Sequence, residues 1–237
     1  MSYDYASYQN YLATLMATTT ADPYFQTILP VCIDYAEQSI YRELDLLNTR
    51  QRDSTTFCTI GSRYVTFANT LVVVETLAVI VPGGTQPSAG TRRTLIPCTH
   101  DFIDTVYPND GPAEYQSTPI YFAMLDQQSA LLGPSPDAAY VLEVVGTYRP
   151  APLSATNTTT PLSVLLPDLF LAASMIFMSG YQKDFGAQSD DPKMSGSWLE
   201  EYNRLMMSAK SEEFRKKFQA STWTSMIPST EANRQRG

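Results

Sequence analysis

The sequence has few of the residues on which metal sites and acid–base catalysis depend. Only one histidine and three cysteines occur among its 237 residues, so a site with several histidine ligands is excluded and a histidine-based catalytic site is disfavoured. Cys32, Cys58 and Cys98 are far apart and form no CxxC pair, a pattern typical of buried, reduced thiols. We therefore expect neither a metal ion nor a cofactor.

Motifs for phosphate binding and hydrolysis are also missing. The chain contains neither GxGxxG nor GxxxxGK[ST], and neither GxSxG nor HExxH. His100, next to Asp101 and near Asp104, is the one candidate for a histidine-centred site, but nothing marks a nucleophile beside it. A surface histidine at a helix start is the better interpretation. We expect no enzymatic activity.

Long apolar runs are absent as well. The best candidate for a membrane span, Leu71–Val81, is shorter than the roughly 20 residues required and contains Glu75. The N-terminal residues MSYDYASYQNY include neither the basic region nor the apolar stretch of a secretory signal. We expect a soluble, non-secreted protein that does not associate with a membrane.

Apolar residues make up 43% of the sequence, enough for a substantial core, whereas charged residues make up 17% and leave a net charge of −8. The charge is unevenly distributed. Residues 204–237 carry seven bases and three acids, or +4, so residues 1–203 carry nine bases and twenty-one acids, or −12. An acidic chain is a poor general binder of nucleic acid, because phosphate contacts require clustered Lys and Arg.

Helical patterns occur at both ends of the chain. Apolar residues recur at three- and four-residue steps over residues 5–16 and 25–47. Asp22-Pro23 is an acidic cap followed by proline at the first helical position, and Pro30 predicts a kink or restart. Pro167-Asp168 and Asp191-Pro192 start two later helices. The polar residues of the second helix are expected on its solvent-exposed face: Glu37, Arg42, Glu43 and Asp45.

Strand patterns occupy the middle of the chain. Gly61-Ser62 predicts a hairpin turn between the first two strands, and Thr99 predicts the cap of a short helix. The predicted strands are Thr55–Ile60, Arg63–Phe67, Leu71–Val81, Ile120–Asp126, Ala130–Leu132 and Tyr140–Tyr148.

The order of these elements predicts an α+β fold. The N- and C-terminal helices form one bundle, with an inserted, mainly antiparallel β region and an extended C-terminal arm. The predicted division is 1–53 for the N-terminal helices, 54–160 for the β-rich insertion, 161–217 for the C-terminal helices that complete the bundle, and 218–237 for the arm. The arm is either a frayed tail or a binding element, since it contains Trp223, Met226 and Ile227.

Several segments together resemble the head-to-tail adaptor proteins of tailed phages. The resemblance extends from roughly Pro23 to Lys217, and the order and spacing of four segments carry it. They are Leu29–Leu47 (LPVCIDYAEQSIYRELDLL), Thr118–Ser154, Leu165–Phe185 and Trp198–Met206 (WLEEYNRLM).

The resemblance implies a structural virion protein, made in the host cytoplasm and located in the neck at the portal vertex. Its copies would form a dodecameric ring that binds the portal protein on one side and a tail or nozzle protein on the other. Double-stranded DNA would pass through the ring without specific binding during genome ejection. The implied portal-binding residues are Arg204, Lys210, Arg215, Lys216, Lys217, Phe218, Trp223, Met226 and Ile227.

Two alternatives remain open at this point. The chain could be another neck or tail-completion protein, such as a nozzle subunit. From a different class, it could be a carbohydrate-binding or glycan-hydrolysing accessory virion protein that uses the β region and the N-terminal tyrosines. Those tyrosines, which could equally serve packing between subunits, are Tyr3, Tyr5, Tyr8 and Tyr11.

Overall fold

The computed structural model describes residues 2–109, 112–181 and 193–222. Its helices are α1 (Tyr5–Leu15), α2 (Pro23–Glu43), α3 (His100–Val106), α4 (Pro161–Leu165), α5 (Pro167–Tyr181) and α6 (Lys193–Thr222). Its strands are β1 (Arg50–Phe57), β2 (Tyr64–Thr66), β3 (Leu71–Val81), β4 (Thr91–Thr94), β5 (Ile96–Pro97), β6 (Tyr121–Met124), β7 (Ser129–Gly133) and β8 (Val141–Tyr148). This mixture confirms the predicted α+β class.

The chain divides into two compact units. The helical unit comprises Met1–Leu47 and Ala151–Gly237, and the β unit comprises Asn48–Pro150. The sequence-based border at 53/54 lies later in the chain, because β1 starts with the polar residues RQRD and therefore shows no apolar alternation. The border at 160/161 also lies later, because the connector after β8 belongs to the helical unit. That the predicted segments are independently folding domains stays a prediction.

Capping residues begin the helices of the helical unit. The Asp22 carboxylate accepts a hydrogen bond from the backbone N–H of Tyr24 (2.8 Å), and Pro23 is the first helical residue, as predicted. Helix α2 then continues through Pro30 without a restart. Pro30 lies on the exposed side of α2, where water can satisfy the carbonyl that proline leaves without a donor. The predicted helix over 25–47 ends earlier, at Glu43.

Helix α5 packs against both α2 and α6. The tyrosine-rich N-terminus also packs against α5. The ring of Tyr8 stacks on Phe170 with 4.6 Å between centroids, and its hydroxyl lies 2.6 Å from the hydroxyl of Ser174 and 3.1 Å from the Phe170 carbonyl oxygen. Tyr3 stacks in turn on Tyr11 (5.6 Å). Part of this tyrosine cluster therefore serves packing within the chain.

Glu37 corrects one sequence-based expectation. It was expected on the solvated face of α2, but it is only 3% exposed. Its carboxylate accepts a hydrogen bond from the backbone N–H of Leu153 (3.2 Å) in the connector that returns the chain to the helical unit. Burial raises the pKa of Glu37 to about 7, because a charged carboxylate is disfavoured away from water.

The β unit contains two four-stranded sheets. One has the order β1-β8-β3-β4 and is antiparallel throughout; the other has the order β2-β7-β6-β5, in which β5 and β6 are parallel. Apolar side chains from both sheets, including Leu77, Leu132 and Leu142, share one core. Where β8 crosses β3 the backbones approach closely at Gly146, because a Cβ placed there would lie 2.2 Å from the carbonyl oxygen of Val73.

The predicted hairpin at Gly61-Ser62 is wrong. β1 pairs with β8, whereas β2 pairs with β7 in the other sheet. Gly61 does lie in a turn with φ of 72°, and its N–H donates to the carbonyl of Pro136 (2.9 Å). The turn therefore carries the chain from one sheet to the other. The predicted cap of α3 is confirmed, since the Thr99 hydroxyl accepts a hydrogen bond from the N–H of Phe102 (3.3 Å).

Candidate interaction surface

Helix α6 carries six of the residues that the resemblance assigned to portal binding, five of them basic. One side of α6 is buried: Tyr202, Met206 and Ala209 belong to the core of the helical unit, and Trp198 and Leu205 pack against that core. These positions follow three- and four-residue steps, as expected for the buried face of a helix. This part of α6 is therefore an integral element of the bundle.

Three polar contacts join α6 to the end of α2 and to the residues that follow it. They are a hydrogen bond from the Tyr202 hydroxyl to Glu43 (3.0 Å), a hydrogen bond from the Leu47 N–H to Glu213 (3.0 Å), and an ion pair between Lys217 and Asp45. Glu213 is 5% exposed, so its carboxylate satisfies a partly buried backbone donor. The contacts hold α6 in position from its middle to its C-terminal third.

The basic residues of α6 fall into two groups. Arg204, Lys216 and Lys217 are engaged within the protein through the pairs Arg204–Glu201, Lys216–Glu212, Lys216–Glu213 and Lys217–Asp45. The Glu212–Lys216 pair has the four-residue spacing that stabilises a helix, whereas Arg204 pairs at three-residue spacing and Lys217 pairs with an acid outside α6. Lys210 and Arg215 are exposed and form no ion pair with any residue in the described ranges. Their charges are available to another molecule.

Large apolar side chains line the exposed side of α6. Met207, Phe214 and Phe218 are 73, 72 and 64% exposed, and their spacing of seven and then four residues places them on one side of the helix. We call these three residues the α6 stripe. Sequence reasoning named Phe218 but missed Met207 and Phe214, although their seven-residue spacing on a strongly charged helix was a visible signal.

The remaining assigned residues lie at or beyond the end of α6. The sequence interpretation placed Phe218 at the start of an extended arm, but α6 continues to Thr222, so Phe218 is helical. Trp223, Met226 and Ile227 lie outside the described residues.

Comparison with known proteins identifies the family. A family model described as SU10 adaptor protein matches residues 3–226, which is nearly the whole chain and includes both units. The chain belongs to the SU10 adaptor protein family. This membership confirms the resemblance to phage head-to-tail adaptors that the sequence segments indicated. No curated protein matches the chain.

Of the three cysteines of this phage adaptor, Cys32 and Cys58 are buried as expected, whereas Cys98 is only partly buried. Burial raises the pKa of both Cys32 and Cys58 to about 12, which keeps these thiols protonated. The Cys32 thiol donates a hydrogen bond to the carbonyl of Ser174 (3.2 Å). His100 is 58% exposed and lies 3.5 Å from Asp101 at the start of α3, which agrees with its interpretation as a surface residue.

Within the residues that the structure describes, no three His, Cys, Asp or Glu side chains are grouped so as to hold a metal ion. None of the described helices combines the length and the apolar character needed to cross a membrane.

Proposed function

We propose that this adaptor joins the portal to the tail of a tailed bacteriophage, as a structural protein of the virion neck without enzymatic activity. Copies of the chain form a dodecameric ring beneath the portal, bind a tail or nozzle protein on the opposite side, and continue the DNA channel. Membership of the adaptor family over residues 3–226 is the observation that carries this proposal.

The portal contact is proposed for the C-terminal end of α6 and the residues after it. Lys217 serves this contact indirectly, since its ion pair with Asp45 holds α6 in place. Arg204 and Lys216 pair with acids of α6 itself and keep their proposed role at this contact. Phe218, which is 64% exposed near the C-terminal end of α6, is proposed to contact the portal directly. The side chains that complete the contact are those the resemblance assigned beyond α6: Trp223, Met226 and Ile227.

The acidic character of the chain suits a surface that lines a DNA channel. Residues 1–203 carry a net charge of −12, and negative surface charge repels phosphate, so the duplex slides through the ring instead of binding to it. The β unit is the proposed contact for the tail or nozzle protein. In this proposal the chain is made in the host cytoplasm and incorporated into the virion at the portal vertex.

A reconstitution with purified portal protein tests this function. Wild-type adaptor should co-sediment with portal rings, and F218A/W223A should weaken this binding about tenfold or more, because aromatic side chains dominate protein interfaces. The thermal unfolding midpoint of the double variant should stay close to that of the wild type, because Phe218 is exposed. F57A, at an equally exposed aromatic of the β unit (56%), is the matched control.

Truncation is a second test, and the structure determines where it should begin. A deletion from Arg204 would remove the buried residues Ala209 and Glu213 and unfold the bundle. A deletion of 223–237 leaves every described residue in place and should abolish portal attachment. If the wild-type protein does not bind portal rings but does bind oligosaccharide, the result would contradict the proposal and favour the glycan-binding alternative.

A further inference from the structure

The helical unit presents a second exposed apolar stripe, on α2. Tyr24, Val31 and Tyr35 are 80, 56 and 52% exposed, and we call them the α2 stripe. Their spacing of seven and then four residues is the same as that of the α6 stripe. Both stripes therefore extend about 16 Å along their helices. Contiguous exposed apolar surface of this kind marks a site of protein–protein contact.

The two stripes face different sides of the helical unit. On α2 the stripe lies opposite the buried residues, among them Leu29, Ala36 and Ile40. On α6 it lies opposite Tyr202 and Met206. Because α5 packs against both helices, each stripe lies on the side of its helix that is opposite the shared core. Within the α2 stripe, the ring of Tyr35 also contacts Phe177 of α5 (4.9 Å between centroids). A chain with two different apolar surfaces can bind one copy through the first surface and another copy through the second. Such head-to-tail contacts build a closed ring when the rotation from one subunit to the next divides a full turn.

An acid borders the α2 stripe, and a base lies beyond its C-terminal end. Asp34 borders the α2 stripe in a cleft that Val31, Tyr35 and Arg42 also line. Its carboxylate accepts a hydrogen bond from Gln38 (2.7 Å) but forms no ion pair within the described part of the chain. Arg42 lies two turns further along and donates to the other end of Gln38 (3.1 Å).

On α6, the two bases without ion pairs border the stripe on both sides. With 100° per residue, Lys210 lies roughly 60° to one side of the stripe and Arg215 roughly 80° to the other. Asp34 lies beside the α2 stripe, whereas Lys210 and Arg215 lie beside the α6 stripe. These opposite charges favour contact between an α2 stripe and an α6 stripe over contact between two copies of the same stripe.

We propose that the α2 stripe of one copy packs against Met207 and Phe214 of the α6 stripe of the next copy, with Asp34 facing the bases that border these two residues. This inference rests on the proposed ring. It assigns Lys210 and Arg215 to the contact between subunits, and it leaves the portal contact to Phe218 and the residues beyond it.

Portal loading tests the apolar part of the contact. Native mass spectrometry of portal rings with increasing adaptor should show cooperative filling by the wild type. M207S/F214S should lose cooperativity and need about tenfold more protein or more for the same occupancy, while single copies still bind the portal. I60S/V106S, at exposed apolar positions of the β unit, is the control. Filling by M207S/F214S that is indistinguishable from wild type would overturn the inference and leave the proposed function intact.

Charge reversal tests the polar part. D34K and K210E/R215E should each reduce cooperative filling, and the chain that carries all three substitutions should recover it, because each interface then again joins unlike charges. E114K makes the same change of charge at an exposed position of the β unit and should have no effect. If all variants fold but the triple variant does not recover cooperative filling, the proposed contact between Asp34 and the bases beside the α6 stripe is wrong.

Cross-linking tests the contact without portal protein. In a C98S background, V31C and F214C copies are mixed at high concentration with a short bismaleimide, and a V31C–F214C heterodimer should form. V31C mixed with I60C should give none. A heterodimer together with a wild type that does not bind portal would uphold the stripe contact and reject the adaptor function. No heterodimer above the I60C control would reject the contact itself.

Discussion

The buried carboxyl of Glu37 makes the stability of the adaptor depend on pH in an unusual direction. Burial raises its pKa from 4.5 to about 7. Between these values the unfolded chain has released the proton and the folded protein still holds it, so the free energy of unfolding falls as pH rises. Each pKa unit corresponds to about 1.4 kcal/mol, and the loss from pH 4.5 to 7 is therefore about 3 kcal/mol. Above pH 7 the contribution levels off.

Glu37→Gln isolates this effect. The amide oxygen can still accept the hydrogen bond from the Leu153 N–H, but it cannot ionise. At pH 8 the variant should be about 3 kcal/mol more stable than the wild type, and near pH 4.5 the two should be similar. Urea unfolding at half-unit steps from pH 4.5 to 8.5 measures the difference, with E114Q, at an exposed glutamate, as the control.

The decisive quantity is the free energy of unfolding of E37Q minus that of the wild type, plotted against pH. This difference should rise between pH 4.5 and 7 and then stay level. A difference that does not change with pH would refute the reasoning, because it would mean that Glu37 ionises equally easily in the folded and unfolded chain. A wild type that gains stability from pH 5 to 7 relative to E37Q would show the opposite sign, as for a carboxylate stabilised by a cationic partner.

Three other predictions concern stability and use urea unfolding. Glu213→Ala should cost about 1–3 kcal/mol, because the Leu47 N–H loses its acceptor; E213Q should recover part of this, and equal losses would contradict the role of the acceptor. Tyr8→Phe and Ser174→Ala should each cost about 1 kcal/mol, and the double variant less than their sum; strict additivity would argue against their hydrogen bond. Gly146→Ala should cost about 1–3 kcal/mol through overpacking against β3, and an unchanged midpoint would contradict that close approach.

Features that depend on a few neighbouring residues could be predicted from the sequence. Asp22 and Thr99 cap helices, and β3 spans the predicted residues, because capping and apolar periodicity are local properties. The hairpin at Gly61-Ser62 was wrong for the opposite reason. β1 and β2 pair with strands more than sixty residues later, and local turn chemistry contains no information on those partners.

The candidate surface shows the same limit. The basic charge of α6 was visible in the sequence, but which bases remain available was not, because Lys217 pairs with Asp45 from the other end of the chain. Similarly, Glu37 was expected in solvent because its acceptor role depends on Leu153. Met207 and Phe214 could have been noticed as an exposed seven-residue repeat, although only the buried opposite face of α6 shows that this repeat faces outward.

The antiparallel pairing of β1 with β8 also has a consequence for how the adaptor folds. Arg50 lies opposite Thr147, so both ends of the β unit meet at one place. Because the β unit is continuous in sequence, we predict that it folds while the rest of the chain is still being synthesised. Once it has folded, the first and last helices are tethered as though by a short loop, which lowers the entropic cost of their meeting by roughly 2–3 kcal/mol. The folded β unit thereby keeps the first and last helices of the chain close together and assists the assembly of the bundle.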